Sequence, residues 1–151
     1  MSPHELMAAA LDEARAAGEA GEVPIGAVVA RQGAIIGRGG NRTTRDNDAT
    51  THAEMVAIRD ASRSVGSWRL EGCTLVVTVE PCAMCAGAIV LARLDRVIFG
   101  AWDEKAGMAG SIADLLRHPR LNHRPEVMAG VREEECATLV RDFFGARRPI
   151  R

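Results

Sequence analysis

An α/β fold, a mixed five-stranded sheet with helices on both faces, is what the sequence predicts, and two observations carry the prediction. Two apolar runs, residues 25–30 and 34–36, flank Arg31-Gln32-Gly33 and read as a hairpin turning on glycine. Beyond it, strand-like apolar runs alternate with helical patterns: residues 74–79, a helix from Cys82, then residues 96–100. Hairpin strands pair antiparallel and strands joined through a helix run parallel, so this order gives a mixed sheet covered by helices.

The chain opens on Ser2-Pro3-His4-Glu5, a capping box with serine at the cap, proline at the first helical position and a glutamate that reaches back. Leu6, Met7, Ala10, Leu11 and Ala14 recur at helical spacing, and Gly18 or Gly21 ends that helix. In the second hairpin strand, Gly37, Gly39 and Gly40 mark a bulge or a close backbone approach just before Asn41. A polar loop over 42–51 leads to His52, where a helix starts and runs to about Ser64 before Gly66-Ser67 breaks it.

The β-branched run 74–79 reads as a buried strand, and Pro81 suits the first turn of the next helix because it gives up an amide that lacks a partner there. Residues 86–92 are apolar nearly all round, which predicts a helix buried on more than one side. After the strand 96–100 comes a glycine-steered loop to Ser111, then a short helix over 112–116 stopped by Pro119. Residues 126–129 form a last edge strand, and 133–144 an amphipathic helix with acids in its first turn, interrupted by Gly145 just before Arg147. No repeat or linker divides the sequence, so 1–151 reads as one domain.

A formal net charge of -1 excludes a global basic field, so any contact with nucleic acid depends on a local patch. Lys105 is the only lysine; the remaining cations are arginine. Glu5, Asp12 and Glu13 stand where a secretory leader would be basic and then apolar, and the longest apolar run, 83–92, is too short to span a bilayer. Four cysteines fit a reducing cytoplasm better than a disulfide framework, and the expectation is a soluble cytoplasmic protein with no membrane partner.

The organising stretch is Thr78-Val79-Glu80-Pro81-Cys82-Ala83-Met84-Cys85. It places two thiols one turn apart at a helix start, where free amides and the dipole favour thiolate. That arrangement suits a soft metal or redox chemistry, and the spacing alone does not choose. His52-Ala53-Glu54 opens another helix and supplies a third donor. Structural zinc sites close with four protein ligands, whereas catalytic sites leave a position for water. Cys73, Cys136 and Trp68 read as packing. Phe143 and Phe144 are adjacent, so at most one faces the core of a regular helix.

His52-Ala53-Glu54 with Pro81-Cys82-Ala83-Met84-Cys85 resembles the cytidine deaminase superfamily of zinc enzymes. Further patches narrow the resemblance to bacterial tRNA-specific adenosine deaminases, and it then covers nearly the whole chain: Glu22 to Val28, Asn41-Arg42, Phe99 to Asp103, Gly110-Ser111, Leu121 to Arg124 and Asp142-Phe143-Phe144. It implies a three-layer αβα fold, one zinc ion per subunit on His52, Cys82 and Cys85, and Glu54 as the general acid and base. It further implies Asn41 on the flipped nucleotide and Asp103 on the substrate backbone. Phe144 and Arg147, with Phe143 and Arg148, combine aromatics and cations as single-strand binding does. The implied substrate is the wobble adenosine (position 34) in the anticodon loop of an arginine tRNA, converted to inosine with release of ammonia by a homodimer. A loop base costs less to splay out than a duplex base.

Three features depart from the family pattern: Ala49-Thr50-Thr51 before His52, Trp102 beside Asp103, and Gly145 in the last helix. Trp102 either walls the pocket or stacks on RNA. The competing readings are a deaminase of a free base or nucleotide of guanine or cytosine type, a non-catalytic zinc module that binds RNA, and a redox dithiol.

Overall fold

The computed structural model describes residues 1–147; the Arg147 side chain and residues 148–151, including Arg148, lie outside that description. The elements are α1 (Pro3–Glu19), β1 (Gly26–Arg31), β2 (Ala34–Gly40), α2 (Ala53–Val65), β3 (Cys73–Val79), α3 (Ala83–Ala92), β4 (Arg96–Ala101), β5 (Glu126–Met128) and α4 (Glu133–Arg147). They form a five-stranded sheet in the order β2-β1-β3-β4-β5. Strand β1 is antiparallel to both β2 and β3, while β3, β4 and β5 are parallel. The expected mixed α/β sheet is therefore present.

Alternation along the strands divides the core into two layers. Ala27, Val29, Leu75, Val77, Val97 and Phe99 face α2 and α3, whereas Val28, Val76 and Ile98 face α1 and α4. Each fully buried Leu, Val or Phe in these layers contributes about 1.5–3 kcal/mol relative to exposure. This gives the αβα sandwich that the family resemblance implies.

Local signals behave as physical chemistry requires. The Ser2 hydroxyl accepts from the Glu5 amide at 3.1 Å and the Glu5 carboxylate accepts from the Ser2 amide at 3.1 Å, closing the capping box of α1. The hairpin turns through Gln32 and Gly33, both at positive φ (51° and 79°). The pairing of β1 and β2 shifts register at Val29/Ala30, which is the bulge. Gly37 also provides the close approach, since a Cβ there would meet the Ala57 carbonyl oxygen of α2 at 2.5 Å. That contact seats α2, and hence His52 at its start, on the sheet.

Four local expectations are corrected. Pro81 lies before α3 rather than in its first turn, and Cys82 is the N-cap with extended backbone (φ -76°, ψ 178°). Residues 112–116 form turns, not a helix, because their backbone groups are used across the loop: Ile112 N–H donates to Gly107 at 2.9 Å and Leu115 N–H to Met108 at 2.8 Å. Helix α4 runs through Gly145 to Arg147 without interruption. Trp68 is not core packing; it is 62% exposed, with the Arg69 guanidinium 5.1 Å above its ring. Cys73 and Cys136 are buried, as packing residues should be. Helix α3 buries Cys85, Ala86, Ile89, Val90 and Ala92, yet Leu91 is 70% exposed, so in one chain only one side of this apolar helix is covered. Among the described residues no helix is long and apolar enough to cross a membrane.

Candidate active site

Helices α2 and α3 bring their N-termini together beyond the C-terminal end of β3. His52 is the N-cap of α2 with extended backbone (φ -68°, ψ 156°) and does not bond that helix, and Cys82 is the N-cap of α3. The two side chains are turned toward each other. His52 Nδ1 lies 3.5 Å from Cys82 Sγ and 3.6 Å from Cys85 Sγ, and the three donor atoms fall within 4.8 Å of one another. Tetrahedral zinc with ordinary Zn–S and Zn–N bonds spaces its ligands about 3.5–3.8 Å apart, so this donor set fits zinc in spacing as well as in softness. Three protein donors leave the fourth position to water.

The thiols polarise each other. Cys82 is pulled down to about 3, first by a hydrogen bond from Cys85 and then by His52. Cys85 is pushed up by that same bond and by burial, and His52 is raised chiefly by Cys82. Cys82 and His52 thus form a thiolate beside an imidazolium, whose proton a metal ion on the ring nitrogen would displace.

Glu54 sits in the first turn of α2, 4% exposed. Burial raises its carboxyl to about 7, against the opposing pull of its own backbone amide and of His52. A bound dication lowers such a group again. A carboxyl in this environment can both give and take a proton near neutral pH.

A cavity of about 280 Å³ opens over these groups, lined by Asn41, Thr43, His52, Glu54, Cys82 and Asp103 among others. Asn41 follows β2 and is 6% exposed; its amide donates to Ile25 at 3.1 Å and its carbonyl accepts from Arg45 at 2.8 Å. The Asp103 carboxylate accepts from the Lys105 and Ala106 amides, each at 3.1 Å, and so caps its own turn. A larger groove of about 950 Å³ shares Val23, Ile25, Val79, Asp103 and Ala106 with the cavity and runs past Trp102 to Phe144. Trp102 packs edge-on against Phe99 with ring centroids 4.9 Å apart, yet remains half-exposed on the groove. Phe144 is also half-exposed there, edge-on to Phe143. Arg147 is the last residue of α4, so the backbone carries it toward this end, and its side chain falls outside the description. His123 ties down its loop, 2.6 Å from the Leu94 carbonyl.

Two buried carboxylates beside the site carry no role in the sequence reading. Glu22 accepts from the Thr44 and Arg45 amides at 3.1 and 2.7 Å and from the Arg45 guanidinium at 3.2 Å, fastening the loop between Asn41 and His52. Glu80 accepts from the Asp103, Ala109 and Ser111 amides and the Ser111 hydroxyl, fastening the loop on the opposite rim. For Glu80 the signal is its place: an acid directly after a buried strand must find several donors.

The cytidine and deoxycytidylate deaminase zinc-binding region matches residues 1–101. The tRNA-specific adenosine deaminase of Bacillus subtilis (strain 168) is 50% identical over 145 residues, covering 95% of this chain and 90% of the relative. A structure solved in work on A-to-I editing by tRNA:A34 deaminases at the wobble position superposes with a TM-score of 0.86 at 47% identity, covering 89% of this chain and 98% of its own. A guanine deaminase structure from Bacillus subtilis is further away, at 32% identity and a TM-score of 0.67, covering 99% of each chain. The chain therefore belongs to the zinc-binding cytidine and deoxycytidylate deaminase family and, within it, to the tRNA-specific adenosine deaminases.

Proposed function

We propose that this protein hydrolytically deaminates the wobble adenosine of an arginine tRNA, position 34 in the anticodon loop, to inosine and ammonia. The observation that carries this reading is a buried Glu54 carboxyl beside an open-sided N,S,S donor set, within a chain half identical over nearly its full length to a tRNA-specific adenosine deaminase.

His52, Cys82 and Cys85 hold zinc, which supplies the Lewis acidity that makes water a nucleophile at neutral pH. Glu54 accepts the proton this water gives up on attacking C6 of the adenine. It gives that proton to ring N1, then takes a second from the new C6 hydroxyl and gives it to the departing amine, and so ends in its starting state. The water oxygen remains on C6 and the nitrogen leaves as ammonia. Asn41, held by its backbone at the pocket edge, presents its side-chain amide to the flipped nucleotide. Asp103 carries a negative charge, so it accepts from a ribose hydroxyl rather than approaching a phosphate. Trp102 and Phe144 offer flat faces to the flanking nucleotides along the groove, and Arg147 is a further contact to the same strand.

The protein acts as a homodimer in the cytoplasm. The one-sided burial of α3 supports the dimer, because Leu91 and its neighbours form an apolar helix face that a second copy would cover. The likeness to a guanine deaminase structure supports the free-base alternative. Incubation with an arginine tRNA anticodon stem-loop carrying a wobble adenosine, beside free guanine, cytosine and adenosine and with Glu54→Ala as control, tests the assignment. Inosine formed in the stem-loop by the intact protein alone is the expected result. Preference for a free base would overturn it.

A further inference from the structure

Glu80 is buried, 3% exposed, at the junction between β3 and the turn that carries Cys82. The mechanism uses neither its proton nor its charge. Its carboxylate is nevertheless surrounded by donors from one loop, residues 101–111: Oε1 accepts from the Asp103 amide at 2.9 Å and from the Ser111 hydroxyl, and Oε2 accepts from the Ala109 and Ser111 amides, each at 3.0 Å. Gly107 leaves room for the carboxylate, which a Cβ there would strike. The backbone reinforces the link, since Met108 N–H donates to the Pro81 carbonyl at 2.8 Å. The loop bearing Trp102 and Asp103 is thus wrapped around a side chain of the metal-bearing turn.

We propose that Glu80 is a positioning residue for deamination, fixing Asp103 and the rim on which the nucleotide lies relative to the turn that carries Cys82. This rests on the assignment of the reaction above. The Asp103 side chain is tied to the Lys105 and Ala106 amides and its carbonyl to Gly107, so the bond from its own amide to Glu80 orients the whole turn. A rim displaced by an ångström no longer matches the nucleotide that lies on it, and the loss appears in how well substrate is held in ground and transition state alike.

The donor pattern makes Glu80→Gln a selective probe. Both partners of Oε2 are amides, which can only donate, whereas at Oε1 the Ser111 hydroxyl can turn to accept. The glutamine therefore keeps its oxygen on Ala109 and Ser111 and turns its NH2 toward Asp103. Only the Asp103 amide loses its acceptor. The expected result for zinc-loaded Glu80→Gln is one zinc per chain, hydrogen exchange at the Asp103 amide at least about tenfold faster, and the Ala109 and Ser111 amides unchanged, as local opening allows. With the anticodon stem-loop, KM rises about tenfold and kcat stays within about twofold, the split that lost binding in ground and transition state alike produces. Ser111→Ala removes a bond from the same carboxylate without freeing the Asp103 amide, and leaves KM within about twofold. Should Glu80→Gln fail to fold, Glu80→Asp, which keeps the charge and withdraws it by one methylene from all three amides, is read by zinc content and KM alone, with one zinc per chain and a raised KM expected and an unchanged KM overturning the proposal.

Loss of zinc, equal loss of protection at all three amides, or unchanged KM with a lowered melting temperature would each overturn the proposal. So would a KM for Ser111→Ala as high as that for Glu80→Gln. If the parent protein makes no inosine in the stem-loop, the assignment of the reaction fails, and the exchange at Asp103 still decides whether Glu80 holds the rim.

Discussion

His52 and Cys82 hold equivalent positions on two different helices: each is the N-cap, each has extended backbone, and Nδ1 of one lies 3.5 Å from Sγ of the other. An N-cap side chain ordinarily accepts from its own helix; the His52 ring does not, and Cys82 is shared between Cys85 of its own helix and His52 of the other. Their spacing is set by the packing of α2 and α3 on one sheet face.

Removing one donor should therefore abolish metal binding without dissolving the fold. His52→Ala and Cys82→Ala are expected to purify with far less than one zinc per chain, while the circular dichroism of the helices persists. Metal analysis after dialysis checks the first point, and far-ultraviolet spectra the second. Full zinc content in either variant would mean that the ion is held elsewhere.

Glu54→Gln separates proton transfer from metal binding. The carboxyl is not one of the three clustered donors, so zinc content should stay at the parent level. Turnover should fall by about 10²–10⁴-fold or more, the usual contribution of a positioned acid–base group. Single-turnover inosine formation with metal analysis on the same preparation measures both. A variant that loses zinc in proportion to activity would make Glu54 a ligand instead.

What could be read in advance follows from where the information is stored. Ser2 and Glu5 announce α1, and Gly33 the hairpin, because caps and turns are decided by residues a few positions apart. Cys82 and Cys85 are legible for the same reason, and His52 joins them only because three donors make chemical sense together. Residues 112–116 looked helical because local pattern cannot show that Gly107 and Met108 would claim their amides from across a loop. The partners of Glu80 and Glu22 are hidden for a related reason: they lie 22 to 31 residues away. Trp68 misled through its type, since a large apolar ring suggests burial and here lies under Arg69 at the surface.

Glu22 predicts an acid-sensitive loop. It is 1% exposed, and although burial alone would raise its pKa, the Arg45 and Thr44 amides and the Arg45 side chain outweigh that and lower it. A carboxyl lowered in the folded state contributes stability that is fully present above its ordinary value of about 4.3 and is lost as pH falls through the folded value. Glu22→Gln should cost about 1–3 kcal/mol at pH 7, the usual worth of hydrogen bonds to a charged group. The gap between the two proteins should close below about pH 4. Acid also releases zinc, but it does so in both proteins and cancels in the difference. Urea unfolding of the pair at pH 7 and at several acid values checks this; a gap that is constant with pH would show that the charge on Glu22 contributes nothing.

Leu91 tests the assembly. At 70% exposure it costs the isolated chain little to replace, so its identity should matter only if a second copy covers α3. Leu91→Glu places a charge in the middle of that face, where a dimer would have to bury it unpaired. Sedimentation equilibrium of the zinc-loaded protein is expected to show dimer for the parent and monomer for the variant, with melting temperatures within a few degrees of each other at low concentration. If the variant remains a dimer, the interface lies off α3. If the parent is a monomer, the exposed side of α3 needs another explanation than a second copy of this chain.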